Sequence, residues 1–216
     1  MPHVGLSFER IDFNEVTEDK RYLYTTVRKR DSQTQIDFNG IAQGLTVDLL
    51  AETLQKNRIN DFMVEVGGEV RCGGARPDGR PWRIAIDRPI VSEDGLDYRE
   101  MQTIVAVADA AICTSGNYRK FYEEDGIKRS HTISPFTGYP VQHSLLSATV
   151  HAVNASTADA LATACMVWGP EEGRRFIEMY RSANPYERIE AYFISDAGTG
   201  EWEVWESEGW SVLTAE

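Results

Sequence analysis

The hydrophobic period of the chain changes at residues 40–57, and that change limits its fold more than any other feature. Ile41, Leu45, Leu49 and Leu54 recur there at helical spacing, with Val47 and Leu50 beside them, which predicts a helix from about Ala42. The flanks have the β-branched and aromatic composition of strands: residues 22–27 (YLYTTV) before it, then 62–66 (FMVEV), 69–74, 82–87 and 103–113. Pro77-Asp78-Gly79 and Glu93-Asp94-Gly95 mark turns between these runs. A short helix is expected at residues 118–122, followed by a hairpin turn at Glu124-Asp125-Gly126 and a strand at 146–153. A second long helix is expected over 156–168, capped by Ser156 and stopped by Gly169-Pro170, with a third from 171 to 181. Strands at 191–195 and 202–206 follow. The pattern is that of an α+β protein with mostly antiparallel sheets flanked by helices.

Composition sets the outer limits. Hydrophobic residues make up 42% of the 216 and aromatic residues 10%, too many for a chain disordered by low hydrophobicity. The longest apolar run, 104–113, is broken by Asp109 and falls well short of the ~20 residues of a membrane-spanning helix. With 34 acidic and 22 basic residues the net charge is −12, which leaves no sequence-independent attraction to nucleic acid or to an anionic membrane surface. A phosphate-bearing ligand would therefore need a metal ion, a backbone nest or a helix N-terminus. Cys72, Cys113 and Cys165 form no metal or redox spacing and are expected as buried free thiols. Residues 1–5 hold no basic segment followed by an apolar core, so no export signal is read there.

Five stretches carry chemistry. Asp37-Phe38-Asn39-Gly40-Ile41-Ala42-Gln43-Gly44 runs from a strand end into a helix N-terminus through two glycines, which suits either a tight turn or close backbone approach to an anion. Gly67-Gly68 interrupts a strand, as a bulge or as bare backbone against a ligand. Cys113-Thr114-Ser115-Gly116-Asn117 supplies either a helix cap or hydroxyls and amides for phosphate. Residues 130–140 (SHTISPFTGYP) form a densely punctuated and hence ordered loop around His131, which is either a surface side chain or a general acid or base. Asp159 and Thr163 lie four apart on a helix of otherwise small apolar residues. They either serve that helix itself, through its dipole and a back-bonded hydroxyl, or hold a hard cation such as magnesium beside phosphates.

In this order and spacing, the stretches DFNGIAQG, VEVGGEVRCGG, GRPWRIAI, ICTSGN, SHTISPFTGYPV and STADALATACMVWGPEEG, together covering residues 36–173, resemble the ApbE family of flavin transferases. Members are FAD:protein FMN transferases. The resemblance implies binding of FAD and Mg2+, cleavage of the pyrophosphate, and transfer of FMN to a threonine hydroxyl of an acceptor flavoprotein subunit, with release of AMP. It implies a metal site of the Gly40 carbonyl, Asp159 and Thr163. It places Asp37 and Gln43 at the flavin nucleotide, Ile133 and Gly67-Gly68 as walls of the same site, and His131 beside the acceptor hydroxyl. Asp159 is an alternative base for that hydroxyl. The expected partners are thus FAD and the acceptor, with no nucleic acid.

Three departures from the family pattern stand out. Gln43 occupies a position that is usually lysine, and Ser134 one that is often aspartate. Family members are also longer and usually begin with an export or lipoprotein signal, and a Met-Gly-Thr segment that helps cover the flavin is not found here. Residues 1–216 are accordingly expected to be the C-terminal two-thirds of an N-terminally truncated, ApbE-like fold. The parent protein is expected to be extracytoplasmic, in the periplasm or membrane-anchored by lipidation. An FAD pyrophosphatase and a non-enzymatic flavin-binding protein are the competing readings.

Overall fold

The computed structural model describes residues 11–18, 21–90, 100–117, 121–124, 127–198 and 201–215. In chain order its elements are β1 (Ile11–Glu18), β2 (Arg21–Lys29), α1 (Ala42–Lys56), β3 (Phe62–Val66), β4 (Glu69–Gly73), β5 (Trp82–Asp87), β6 (Met101–Val107) and β7 (Ala110–Gly116). Then come β8 (Phe121–Glu124), β9 (Ile127–Ser130), β10 (Leu145–Ala152), α2 (Ala155–Trp168), α3 (Pro170–Ala183), β11 (Glu190–Asp196) and β12 (Trp202–Glu206). Six strands form the central antiparallel sheet, in the order β12-β11-β10-β7-β4-β3. The hairpins β1–β2, β5–β6 and β8–β9 make separate two-stranded sheets. This is the α+β architecture expected from the sequence.

The two-residue period of the central strands decides which side chain meets which layer. On one face, Ala111 and Cys113 of β7, Ala148, Val150 and Ala152 of β10, and Ala191 and Phe193 of β11 pack with Leu161, Ala162 and Cys165 of α2 and Ile177 of α3. On the other face, Ala110 and Ile112 of β7 and Tyr192 and Ile194 of β11 meet Val105 and Val107 of β6, Trp210 and Leu213. The sheet is thus covered on both sides. Among the described residues no helix is long and apolar enough to cross a membrane.

Several local expectations are corrected. The strand expected at 103–113 is two strands, because the chain reverses at Ala108-Asp109 with Asp109 at φ 48°. The Asp109 carboxylate holds that reversal by accepting the Gly74 N–H at 2.8 Å. The cap of α2 is Asn154 rather than Ser156: its side chain accepts the Thr157 N–H, and Ser156 is already inside the helix. Of the short helix expected at 118–122, Phe121 and Tyr122 belong to strand β8, while residues 118–120 lie outside the described residues. Asp125-Gly126 and the Glu93-Asp94-Gly95 turn also lie outside them. Gly67-Gly68 is not a bulge. With Val66 paired to Glu69 and φ of 68° and 112°, it is a two-residue hairpin turn, the place where positive φ favours glycine.

Helix α1 forms where the period placed it but buries a different face. Gly44, Val47, Asp48 and Ala51 point inward, whereas Ile41, Leu45, Leu49 and Leu50 are exposed. The buried face is made of small residues and one carboxylate because α1 meets α2 backbone to backbone. A Cβ at Gly44 would collide with the Ala155 carbonyl oxygen, standing 2.7 Å from its carbon and 2.8 Å from Asp159 Cβ.

Candidate functional site

Two reciprocal hydrogen-bonded rungs join α1 to the N-terminus of α2. The Gly44 N–H donates to Asp159 Oδ2 at 2.9 Å. One turn along, the Ala155 and Ser156 N–H groups donate to Asp48 Oδ1 and Oδ2 at 2.9 and 2.8 Å. Gly44 and Asp48 are four apart on one helix, and Ala155 and Asp159 four apart on the other, so each helix presents an aspartate to the other's amides. Arg71 of β4 completes the second rung with Nη1 2.7 Å from Asp48 Oδ1. Burial raises the free energy of the charged Asp48. The Ala155 and Ser156 amides, the Ser156 hydroxyl and Arg71 outweigh that cost and hold its carboxyl below the ordinary aspartate range. Asp48 lies outside the stretches singled out in the sequence, and Arg71, inside VEVGGEVRCGG, is given no role there. Their partners lie 107 and 23 residues away, so no local pattern could have found them.

Asp159 is in the opposite position. It is buried, and burial pushes its carboxyl above the ordinary range, with the Gly44 N–H opposing. Among the described residues Oδ1 takes no hydrogen bond. Beside it, Gly40 lies against Thr163: a Cβ there would stand 3.1 Å from Thr163 Cγ2 and 3.7 Å from Oγ1. The Thr163 hydroxyl is 3.1 Å from that of Ser115, at the end of β7. The Gly44 N–H, which a helix would direct at the Gly40 carbonyl four residues back, is given to Asp159 instead. Among the described residues the Gly40 carbonyl accepts no other backbone hydrogen bond.

The structure therefore brings together Gly40, Asp159 and Thr163, which the family resemblance assigns to one metal, and adds Ser115. These are hard oxygen donors around a buried carboxylate with an uncommitted oxygen, which suits magnesium. Among the described residues no three His, Cys, Asp or Glu side chains cluster. A site with one carboxylate leaves the remaining positions to water and phosphate oxygens, as magnesium sites commonly do.

The other expected residues lie on the first turn of α1, on the turn into it and on the loop after β9. Gln43, exposed on the first turn of α1, lies with its amide against the Gly67 backbone, where any Cβ would overlap it. Asp37 accepts the Asn39 N–H at 2.8 Å and shapes the turn into α1. His131 and Ile133 are exposed on the loop after β9, where Ile133 bridges to Pro140. That loop is fastened towards the site by the Thr132 hydroxyl, which donates to Asn117 Oδ1 at 2.8 Å, two residues beyond Ser115. Cys113 lies beneath, with Sγ 3.4 Å from the Ala155 carbonyl oxygen. Burial pushes its thiol up, and those of Cys72 and Cys165 up to about 12. All three cysteines are free and buried, as expected, and are inert as nucleophiles.

The chain is similar to known proteins in sequence and in fold. The ApbE family model matches residues 4–190. An FAD:protein FMN transferase of Vibrio cholerae is 44% identical over 153 residues, which are 71% of this chain and 44% of the relative. One from Escherichia coli is 36% identical over 163 residues, or 76% and 43% of the two chains. Among solved structures, the flavin transferase ApbE from Vibrio cholerae superposes with a TM-score of 0.71 at 34% identity, covering 96% of this chain and 59% of that one. The ApbE protein from Thermotoga maritima gives 0.73 at 25% identity, covering 97% and 60%. The chain thus spans a little under half the length of the curated relatives.

Proposed function

The chain belongs to the ApbE family, and from that membership we propose that it is the catalytic portion of an FAD:protein FMN transferase. The observation that carries the reading is the packing of Gly40 against Thr163, one helical turn from Asp159, at the α1–α2 junction. In the proposed reaction a threonine hydroxyl of the acceptor protein forms a bond to the phosphorus of the FMN half of FAD. The P–O bond to the AMP phosphate breaks, and AMP leaves with the electron pair. Mg2+, when bound by Gly40, Asp159 and Thr163, would offset charge on the diphosphate oxygens.

The residues of the chain have separable tasks. The Gly44 N–H fixes one Asp159 oxygen and leaves the other for the cation. Gln43 and the Gly67-Gly68 turn, held together, offer an amide and bare backbone to the nucleotide. In this reading His131, on an anchored loop, takes the threonine proton, with Asp159 as the alternative base.

The test combines the protein with FAD, Mg2+ and a candidate acceptor subunit, and follows in-gel flavin fluorescence and AMP. Asp159→Ala should slow transfer roughly a hundredfold or more, as loss of one preorganised charge-stabilising group does. Transfer at the wild-type rate would overturn the metal assignment. His131→Ala should slow transfer while retaining FAD binding. AMP release with no labelled acceptor would identify a pyrophosphatase instead.

A further inference from the structure

We propose that the loop after His131, together with the end of α2, is the docking surface for the acceptor polypeptide, and that it selects an uncharged segment around the target hydroxyl. This rests on the transferase reading above and names the partner chemistry of the same site. The first observation is electrostatic. Although 26% of the residues are charged, no Asp, Glu, Lys or Arg occurs from 130 to 158. The second is exposure. Phe136 and Tyr139 are 58% and 60% exposed, and Trp168 at the end of α2 is 44% exposed with its ring centroid 5.0 Å from that of Phe136. Aromatic side chains with few charges are what distinguishes the centre of a protein interface from the remaining surface.

The loop backbone that carries these rings is also cross-linked by hydrogen bonds. The Ser134 N–H donates to the Tyr139 carbonyl at 2.9 Å, and the Gly138 N–H to the Ser134 carbonyl at 2.8 Å, closing the turn at a glycine with φ 75°. The Ser134 and Thr137 hydroxyls accept the Phe136 and Tyr139 N–H groups at 3.3 and 3.2 Å. At the base, the Val141 N–H donates to the Thr132 carbonyl at 3.0 Å. A backbone fixed before binding loses little conformational entropy when a partner arrives.

Position favours the acceptor as occupant. If His131 takes the acceptor proton, the residues flanking that hydroxyl extend from it at about 3.3–3.6 Å each. The surface that continues from His131 along the chain is this loop. Along the helix axis, Trp168 is roughly 7–8 Å beyond Thr163 at the rise of an α-helix. An acidic segment would be repelled by a protein of net charge −12. A strongly charged segment would also lose hydration against the aromatic rings.

The experiment measures fluorescence anisotropy of a labelled decapeptide with one threonine among Ala, Ser, Gly and Val, using the protein with Mg2+ and FAD. Phe136→Ser and Tyr139→Ser should each weaken peptide binding tenfold or more, with FAD affinity unchanged by flavin-fluorescence titration. Aspartate placed beside the threonine should weaken it comparably. Tyr186→Ser, at a fully exposed position between α3 and β11, should do nothing. Unchanged peptide affinity in both loop variants, or no binding by the wild type, overturns the proposal. So does a fall in FAD affinity, which would give the surface to the flavin, or a change in molecular mass by light scattering, which would give it to a second copy. Transfer is assayed in parallel: absence of labelled product and AMP would sink the transferase reading, while the anisotropy still decides the docking surface.

Discussion

Replacing Gly44 by alanine separates the close approach of α1 and α2 from ordinary helix energetics, because the two predict opposite signs. Inside an exposed helix, glycine to alanine is worth roughly 1 kcal/mol of stabilisation. Here the added methyl would collide with the Ala155 carbonyl oxygen and stand 2.7 and 2.8 Å from the Ala155 carbonyl carbon and Asp159 Cβ, so the backbones must part. Overpacking of that kind costs about 1–3 kcal/mol. Parting the helices also stretches the Gly44 N–H to Asp159 bond, a hydrogen bond to a charged group worth about 1.5–3 kcal/mol. The net expectation is a loss of about 2–4 kcal/mol. For a chain of this size that lowers the midpoint of thermal unfolding by roughly 5–15 °C. In urea, with a slope near 2 kcal/mol/M, the midpoint falls by about 1–2 M. Far-UV circular dichroism during urea unfolding measures it, and Thr46→Ala on the exposed face of α1 is the control that should lose little. A Gly44→Ala protein as stable as the wild type would show that the helices do not touch here.

Two further predictions test the rest of the framework. Asp48→Asn removes the charge from an anchor that meets Arg71 and two helix amides; breaking such a buried pair costs about 3–5 kcal/mol, so urea unfolding should shift by a comparable amount, and a loss below about 1 kcal/mol would contradict it. His151, buried in β10, is held to about 4 by burial and the nearby Arg188 charge, so between pH 6.5 and 4 the unfolded chain takes a proton that the folded one refuses. Stability from this group is therefore whole above pH 6.5 and falls on acidification by about 3 kcal/mol in all. The gap between wild type and His151→Gln should narrow accordingly in urea titrations across that window, and parallel curves would exclude the effect.

What the sequence revealed and concealed divides by distance along the chain. The helices, most strands and the Asp159–Thr163 spacing are local patterns, and all were legible. The reversal at Asp109 was half visible, as an aspartate in an apolar run; its meaning, a crossing from β6 in one sheet to β7 in another, needed the partner amide of Gly74. The face of α1 was misleading, because periodicity marks the apolar stripe while helix contact here selects glycine, alanine and aspartate for closeness. Asp48 and Arg71 were invisible, since a carboxylate on a helix and an arginine on a strand carry no sign of each other. The conjunction of Gly40 with Thr163 came from family resemblance rather than from spacing, and the structure supplies the contact.

On the proposed reading, the charge problem posed by an acidic chain and a diphosphate has a specific resolution. The residues assigned to the nucleotide and the metal beside Asp159, namely Gly40, Gln43, Gly67 and Thr163, and the neighbouring Ser115 include no cation, and Gln43 stands at a position that the family resemblance gives as lysine. Arg71 is near but does not relieve the deficit, because its guanidinium is spent on Asp48. Asp159 adds a buried carboxylate whose charged form burial disfavours. A divalent cation would satisfy both demands together, compensating the carboxylate and the phosphates without any basic side chain. With no lysine or arginine among these residues, affinity for FAD should be tied more tightly to the metal here than in relatives with a lysine at the Gln43 position.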